Sequence, residues 1–193
     1  MRLRSMIKAT LVVAALGIGS QALAASDLVT NGSFETGDFT GWTRFGSTSF
    51  TGVVGFYDTA PTDGAYQAVF GPPVRLGGIS QTLTTVAGGG YNIAFDLYNP
   101  GGTPSEYIVK FGNTVLADVT DSPSFPYTHY YSLNVMASSN STNLALSFRQ
   151  DANYFQLDNV SVTSLTPVPI PAAAWLVGST LMGLFGFVRK KNA

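Results

Sequence analysis

The sequence predicts an all-β domain, a sandwich or jelly roll, set between an N-terminal signal-peptide helix and a C-terminal transmembrane helix. Three observations carry that prediction. Through the middle of the chain, apolar and polar residues alternate in short runs, with no sustained 3.6-residue period. Clusters of Gly, Pro and Asn separate those runs. The two uncharged apolar stretches that suit helices lie at the ends, each beside a group of basic residues.

The N-terminus comes first. Arg2, Arg4 and Lys8 form a positive start, Ala9 to Ile18 an apolar run, and Ala22-Leu23-Ala24 a small-residue cleavage pattern. That order is a secretory signal peptide, residues 1–24, cut after Ala24. The run is too short for an anchor helix.

The domain, residues 25–163, opens at Asp27. Tyr66 to Phe70 alternates, and Ile79 to Leu83 follows a Gly77-Gly78 turn. Tyr91, Ile93, Phe95 and Leu97 share one face of a strand that Asn99-Pro100-Gly101-Gly102 breaks. The same alternation recurs at Tyr107, Val109 and Phe111, at Tyr131, Leu133 and Val135, and at Leu144, Leu146 and Phe148. The last strand changes phase. Phe155 and Leu157 share a parity that Val160 and Val162 do not, which predicts a β-bulge near Asp158-Asn159.

Residues 164–171 form a Pro-rich linker, with Pro167, Pro169 and Pro171 alternating. Each proline fixes its own φ and keeps its predecessor extended. Residues 172–193 follow as an apolar helix with a basic end. Ala172 to Val188 carries no charge, and Arg189, Lys190 and Lys191 close it. About 17 residues at 1.5 Å each give a helix of roughly 25 Å, the short end of a membrane span. The basic cluster would stay cytoplasmic and the domain would face outward. A buried core helix would need a polar stripe, which this segment lacks.

All 11 acids lie between Asp27 and Asp158, against only Arg44, Arg75, Lys110 and Arg149. An acidic domain argues against nucleic acid, whose phosphates are met by Lys and Arg. There is no cysteine, so disulfides, thiol catalysis and Cys-ligated metal are excluded. His129 is the one histidine, and no Gly-x-Ser-x-Gly, His-Glu-x-x-His or phosphate loop is present. The sequence therefore predicts no enzyme and no catalytic residue.

Two resemblances sharpen this. Val168-Pro169-Ile170-Pro171-Ala172, the apolar run and the terminal Arg/Lys cluster together resemble the PEP-CTERM sorting signals, in the Val-Pro-Leu-Pro-Ala variant. Ile170 stands where the main form of the signal has an acid. The resemblance implies a Gram-negative exported protein, held in the inner membrane, processed near the motif by an exosortase-type enzyme, and delivered to the surface or the exopolysaccharide matrix. A plain single-span anchor is the rival reading. Second, Asn31-Gly32-Ser33-Phe34-Glu35, Gly41-Trp42 and the closing Leu157-Asp158-Asn159-Val160-Ser161-Val162 resemble the galactose-binding-like jelly roll of carbohydrate-binding modules of the 4/9 type. This implies two packed antiparallel sheets with the first and last strands adjacent.

The second resemblance also implies candidate chemistry. In such modules a structural calcium joins the chain ends. The matching positions are Glu35 and Asp158, with Asp63 a further ligand and main-chain oxygens from Gly32 and the Pro61-Thr62-Asp63-Gly64 turn. The alternative role for these carboxylates is to cap turns and accept backbone hydrogen bonds. Sugar binding needs aromatic faces and polar groups on an open surface. The opposite-parity residues Asp96, Tyr98, Tyr130 and Arg149 are the candidates, with packing or solvent exposure as their other role. Trp42 is expected in the core and Tyr154 at the rim. The partners expected are thus an exosortase-type enzyme, the inner membrane and exopolysaccharide.

Overall fold

A computed structural model of the chain describes residues 26–165. The signal peptide with its cleavage at Ala24, the motif Val168 to Ala172 and the apolar tail lie outside the described residues. Within them there is no helix, and ten strands form two antiparallel five-stranded sheets. In chain order the strands are β1 (Thr43–Gly46), β2 (Thr51–Val54), β3 (Gln67–Phe70), β4 (Gly77–Thr84), β5 (Gly90–Asn99), β6 (Ser105–Phe111), β7 (Thr114–Thr120), β8 (Phe125–Met136), β9 (Ser141–Gln150) and β10 (Phe155–Ser164). One sheet has the order β1-β4-β9-β6-β7 and the other β2-β3-β10-β5-β8. This is a jelly-roll sandwich.

The alternation that predicts the strands also builds the core. Ile93, Phe95 and Leu97 of β5 meet Leu144, Leu146 and Phe148 of β9 between the sheets, all of them buried. Aromatic rings run through the middle, with Phe70 and Phe148 stacked at 4.4 Å and Phe148 and Phe155 at 5.6 Å. Each fully buried ring of this kind contributes about 1.5–3 kcal/mol.

The opening motif now has a structural account. Gly32 lies so close to β10 that a Cβ there would sit 1.9 Å from the Val160 carbonyl oxygen. That approach lets Val160 N donate to Gly32 O at 3.0 Å. Asn31 adopts a left-handed φ of 55° and its Nδ2 donates to Thr36 Oγ1, Asp38 O and Thr40 O, clamping the next loop. Phe34 fills the core and stacks with Trp42, which is buried as expected and donates its indole N–H to Asn31 O. The first and last segments are adjacent, with Asp27 bridged to Thr163.

The bulge lies where the phase change predicts it. Between Asp158↔Asp96 and Ser161↔Ala94, β10 carries one residue more than β5, and Asn159 has a left-handed φ of 51°. The phase of β8 differs from expectation. Tyr131 and Leu133 are 67% and 65% exposed, while Tyr130 and Val135 pack against the core. The irregularity in the β8–β5 register between Tyr91 and Ile93 causes this, where Asn134 takes a left-handed φ of 55°; a second lies between Leu97 and Asn99. Strands β1, β2 and β7 stand at sheet edges and were not visible as alternating runs.

Candidate binding face

Because Ile93, Phe95 and Leu97 point inward, Asn92, Ala94, Asp96 and Tyr98 point out of the same sheet. The strand registers place neighbours beside each of them. Tyr98 pairs with Gln156, and its ring lies 5.9 Å from that of Tyr127. Asp96 sits between Asp158 on β10 and His129 on β8. Ala94 sits between Ser161 and Tyr131. The outer face is thus a ladder of three rungs, aromatic at one end, charged in the middle and small next to Tyr131.

The loop from Gly55 to Tyr66 folds back over part of this face. Its Thr62 hydroxyl lies 2.6 Å from Asp96 Oδ2 and 3.1 Å from Asp158 Oδ2. Thr62 N and Asp63 N donate to Asp158 Oδ2 at 2.7 and 2.9 Å, and Asn159 N donates to Asp158 Oδ1 at 2.7 Å. Asp158 is fully buried, and burial pushes its carboxyl above the usual carboxylate range, against the pull of these donors. Tyr127 donates its hydroxyl to Gln67 Oε1, whose amide in turn holds Thr59 O at 2.8 Å. Burial, with the negative charges of Asp158 and Asp96 behind it, pushes the Tyr127 hydroxyl pKa up. His129 Nδ1 sits 2.6 Å from Asp96 Oδ1, and the imidazole is 56% exposed. Its Nε2 is the ring nitrogen left for a ligand.

Asp96, Tyr98, Tyr130 and Arg149, the opposite-parity candidates of the sequence, are divided by the structure. Asp96 and Tyr98 share the outer face. Tyr130 is a correction: it stacks inside on Phe95 with ring centroids 5.3 Å apart, because the β8 irregularity at Asn134 reverses its parity. Arg149 is on β9 in the other sheet, donating Nε to Pro73 O at 3.3 Å. The outer face also carries His129 and Tyr131, whose rings are 6.4 Å apart and tilted by 32°. No local signal marks them, since their outward direction depends on that bulge. Beside Tyr98, a shallow cleft of about 340 Å³ is lined by Pro100, Ser124, Phe125 and Pro126. Tyr154 stands at another cleft, its ring 4.9 Å from Tyr57.

The positions matched to calcium do the work of hydrogen-bond acceptors. Glu35 Oε1 accepts from Ala65 N and Tyr66 N, both at 2.8 Å, and Asp63 Oδ2 accepts from Ser33 Oγ at 2.7 Å. Gly64 leaves room for the Glu35 carboxylate, which a Cβ would meet at 2.2 Å. Calcium needs several oxygens turned toward one centre. Among the described residues no three His, Cys, Asp or Glu side chains are gathered for a metal. In this arrangement Glu35, Asp63 and Asp158 are engaged by backbone and hydroxyl donors. They tie the 55–66 loop to the two chain ends, the alternative role expected for them.

Comparison with solved structures agrees with this architecture. The chain is similar to TmCBM61, solved with β-1,4-galactotriose, at a TM-score of 0.60 and 18% identity over 72% of this chain and 99% of that one. It is similar to the CBM22-1 xylan-binding domain of Paenibacillus barcinonensis Xyn10C at a TM-score of 0.54 and 18% identity, covering 77% of this chain and 100% of that one. The enzymatically active domain of bacteriophage CBA120 tailspike protein 4 shares the fold at a TM-score of 0.52 and 13% identity, over 72% of this chain and 21% of that one. No protein-family model and no curated protein matches the chain. At these identities the likeness is one of fold: a jelly roll of the kind found in carbohydrate-binding modules.

Proposed function

We propose that this chain is an exported, non-enzymatic protein whose jelly roll holds a polysaccharide on the outer face of the β2-β3-β10-β5-β8 sheet. The observation that carries the reading is the exposed pair His129 and Tyr131 on the same outer face as Tyr98, on the part that the 55–66 loop leaves uncovered. Aromatic faces stack on the C–H faces of sugars, and His129 and Ser161 supply polar groups for hydroxyls, with Asp96 holding the His129 ring from behind. The similarity to modules whose names include xylan binding and a bound galactotriose supports the same ligand class. The Val168 to Ala172 motif and tail support export through a membrane-held intermediate and processing by an exosortase-type enzyme. Delivery would be to the surface or the exopolysaccharide matrix.

A structural role without a ligand is the second reading. Ala94, Ser161 and Thr163 favour it, because a face of small residues gives a sugar little to stack on. Binding of the purified protein to a panel of polysaccharides separates the two. Saturable binding to one glycan class is the expected result. A folded protein that binds none would move the assignment to a structural body. For the tail, the mass of the surface form decides: loss of the residues after the Pro motif is expected, and an intact C-terminus would leave a permanent anchor.

A further inference from the structure

One pole of the sandwich exposes four apolar side chains among uncharged Ser, Thr, Asn and Gly residues, and Leu165, the last described residue, lies there. Leu165 N donates to Gly90 O at 2.8 Å, and Gly90 pairs with Met136. Ala137 N donates to Gly89 O and Gly88 N to Ala137 O, so the 85–89 and 137–140 loops are stitched side by side. Val86 is 65% exposed, Leu133 65%, Met136 54% and Leu165 44%. Residues 84–90, 132–142 and 165 contain no Asp or Glu. Asp27 bridges to Thr163, two residues before Leu165, and its Oδ1 accepts from Val29 N and Val162 N. The opposite pole also exposes apolar side chains, Phe50 and Val74, but it carries Asp121 and Asp151.

We propose that this pole is a lipid-contacting surface, with Val86, Leu133, Met136 and Leu165 resting in the headgroup region of the bilayer. The proposal rests on the reading of Ala172 to Val188 as a membrane span. Residues 166–171 can extend about 20 Å at most, so a span starting at Ala172 holds Leu165 near the bilayer surface. Apolar side chains on an uncharged patch suit the acyl–headgroup boundary, and the absence of acids avoids repulsion by anionic lipid. The acids of the far pole then face away from the membrane.

The chain has no cysteine, so single cysteines report one position each. The full chain is reconstituted into phosphatidylethanolamine/phosphatidylglycerol vesicles with an environment-sensitive fluorophore at Val86→Cys, Met136→Cys, Val74→Cys or Leu181→Cys. Blue-shifted emission quenched by spin-labelled lipid is expected at 181, 86 and 136, with water-like emission at 74. Quenching at 181 with water-like emission at 86 and 136 would overturn the proposal and leave the span standing. Water-like emission at 181 would overturn the span and the proposal with it. A blue shift at 86 and 136 without quenching by the labelled lipid would mean that protein, such as a second copy, covers the pole, and would overturn the proposal.

Discussion

Replacing Asp158 by alanine should destabilise the domain by about 2–4 kcal/mol. The carboxylate is fully buried and accepts from Thr62 N, Asp63 N and Asn159 N, with the Thr62 hydroxyl also in reach. Without it the hydroxyl keeps Asp96 as a partner, but the three N–H groups lose theirs. Each hydrogen bond to a charged group contributes about 1.5–3 kcal/mol, less where the freed N–H of exposed Thr62 or Asp63 turns to water. Removing the buried charge returns part of that, because its desolvation is no longer incurred. The remainder is a large share of the roughly 5–15 kcal/mol that holds a domain together. Urea unfolding followed by fluorescence measures it, since Trp42 is 7% exposed and stacked on Phe34. Trp175→Phe in both proteins leaves Trp42 as the sole indole. Combining Asp158→Ala with Thr62→Ala should cost clearly less than the sum of the two, because both cut the same loop contact. A loss below about 1 kcal/mol, or strict additivity, would refute the view that Asp158 pins the loop over the sheet.

The remaining predictions follow from the same geometry. Excess chelator should leave the melting temperature unchanged, because N–H donors occupy Glu35 and Asp158; a drop on chelation, reversed by calcium, would restore a metal at the chain ends. Since burial raises the folded pKa of Asp158 above 3.8, its contribution grows as pH falls through the raised value and is lost as pH rises through it. The stability gap between the wild type and Asp158→Asn should therefore widen from neutral pH toward acid, and a narrowing gap in urea titrations would contradict the direction of the shift. Tyr130→Ala should cost about 2–4 kcal/mol, because the ring is packed between Phe95 and Tyr107. Tyr131→Ala should stay within about 0.5 kcal/mol in the same assay, and equal effects would mean that the parity of β8 is wrong.

Much of the sandwich was legible because its core strands alternate without interruption. The runs of β5, β6 and β9 show one apolar parity from end to end, so pattern alone orients them. Even the bulge in β10 was readable, since apolar residues on both sides of Asp158-Asn159 record the change of phase. In β8 the sequence His129-Tyr130-Tyr131 offers aromatic residues on both parities, so the pattern carries no sign of which ring faces in. The bulge at Asn134 decides it, and it is set by pairing with β5. The 55–66 loop was legible only as a turn-rich stretch. Its return across the sheet depends on Asp96 and Asp158, more than 30 residues away in sequence. For that reason Asp96, expected as a ligand contact, and Asp158, expected as a metal contact, turn out to hold one Thr62 hydroxyl between them.

Calorimetric titration of the polysaccharide that binds in the panel, against the wild type, Tyr131→Ala and Arg149→Ala, tests the assignment of the binding face most directly. Stacking on an exposed ring contributes about 1–2 kcal/mol, so Tyr131→Ala should weaken binding by about tenfold, while Arg149→Ala on the other sheet should leave it unchanged. Full affinity in Tyr131→Ala, with loss in Arg149→Ala, would place the ligand on the opposite sheet and contradict the assignment.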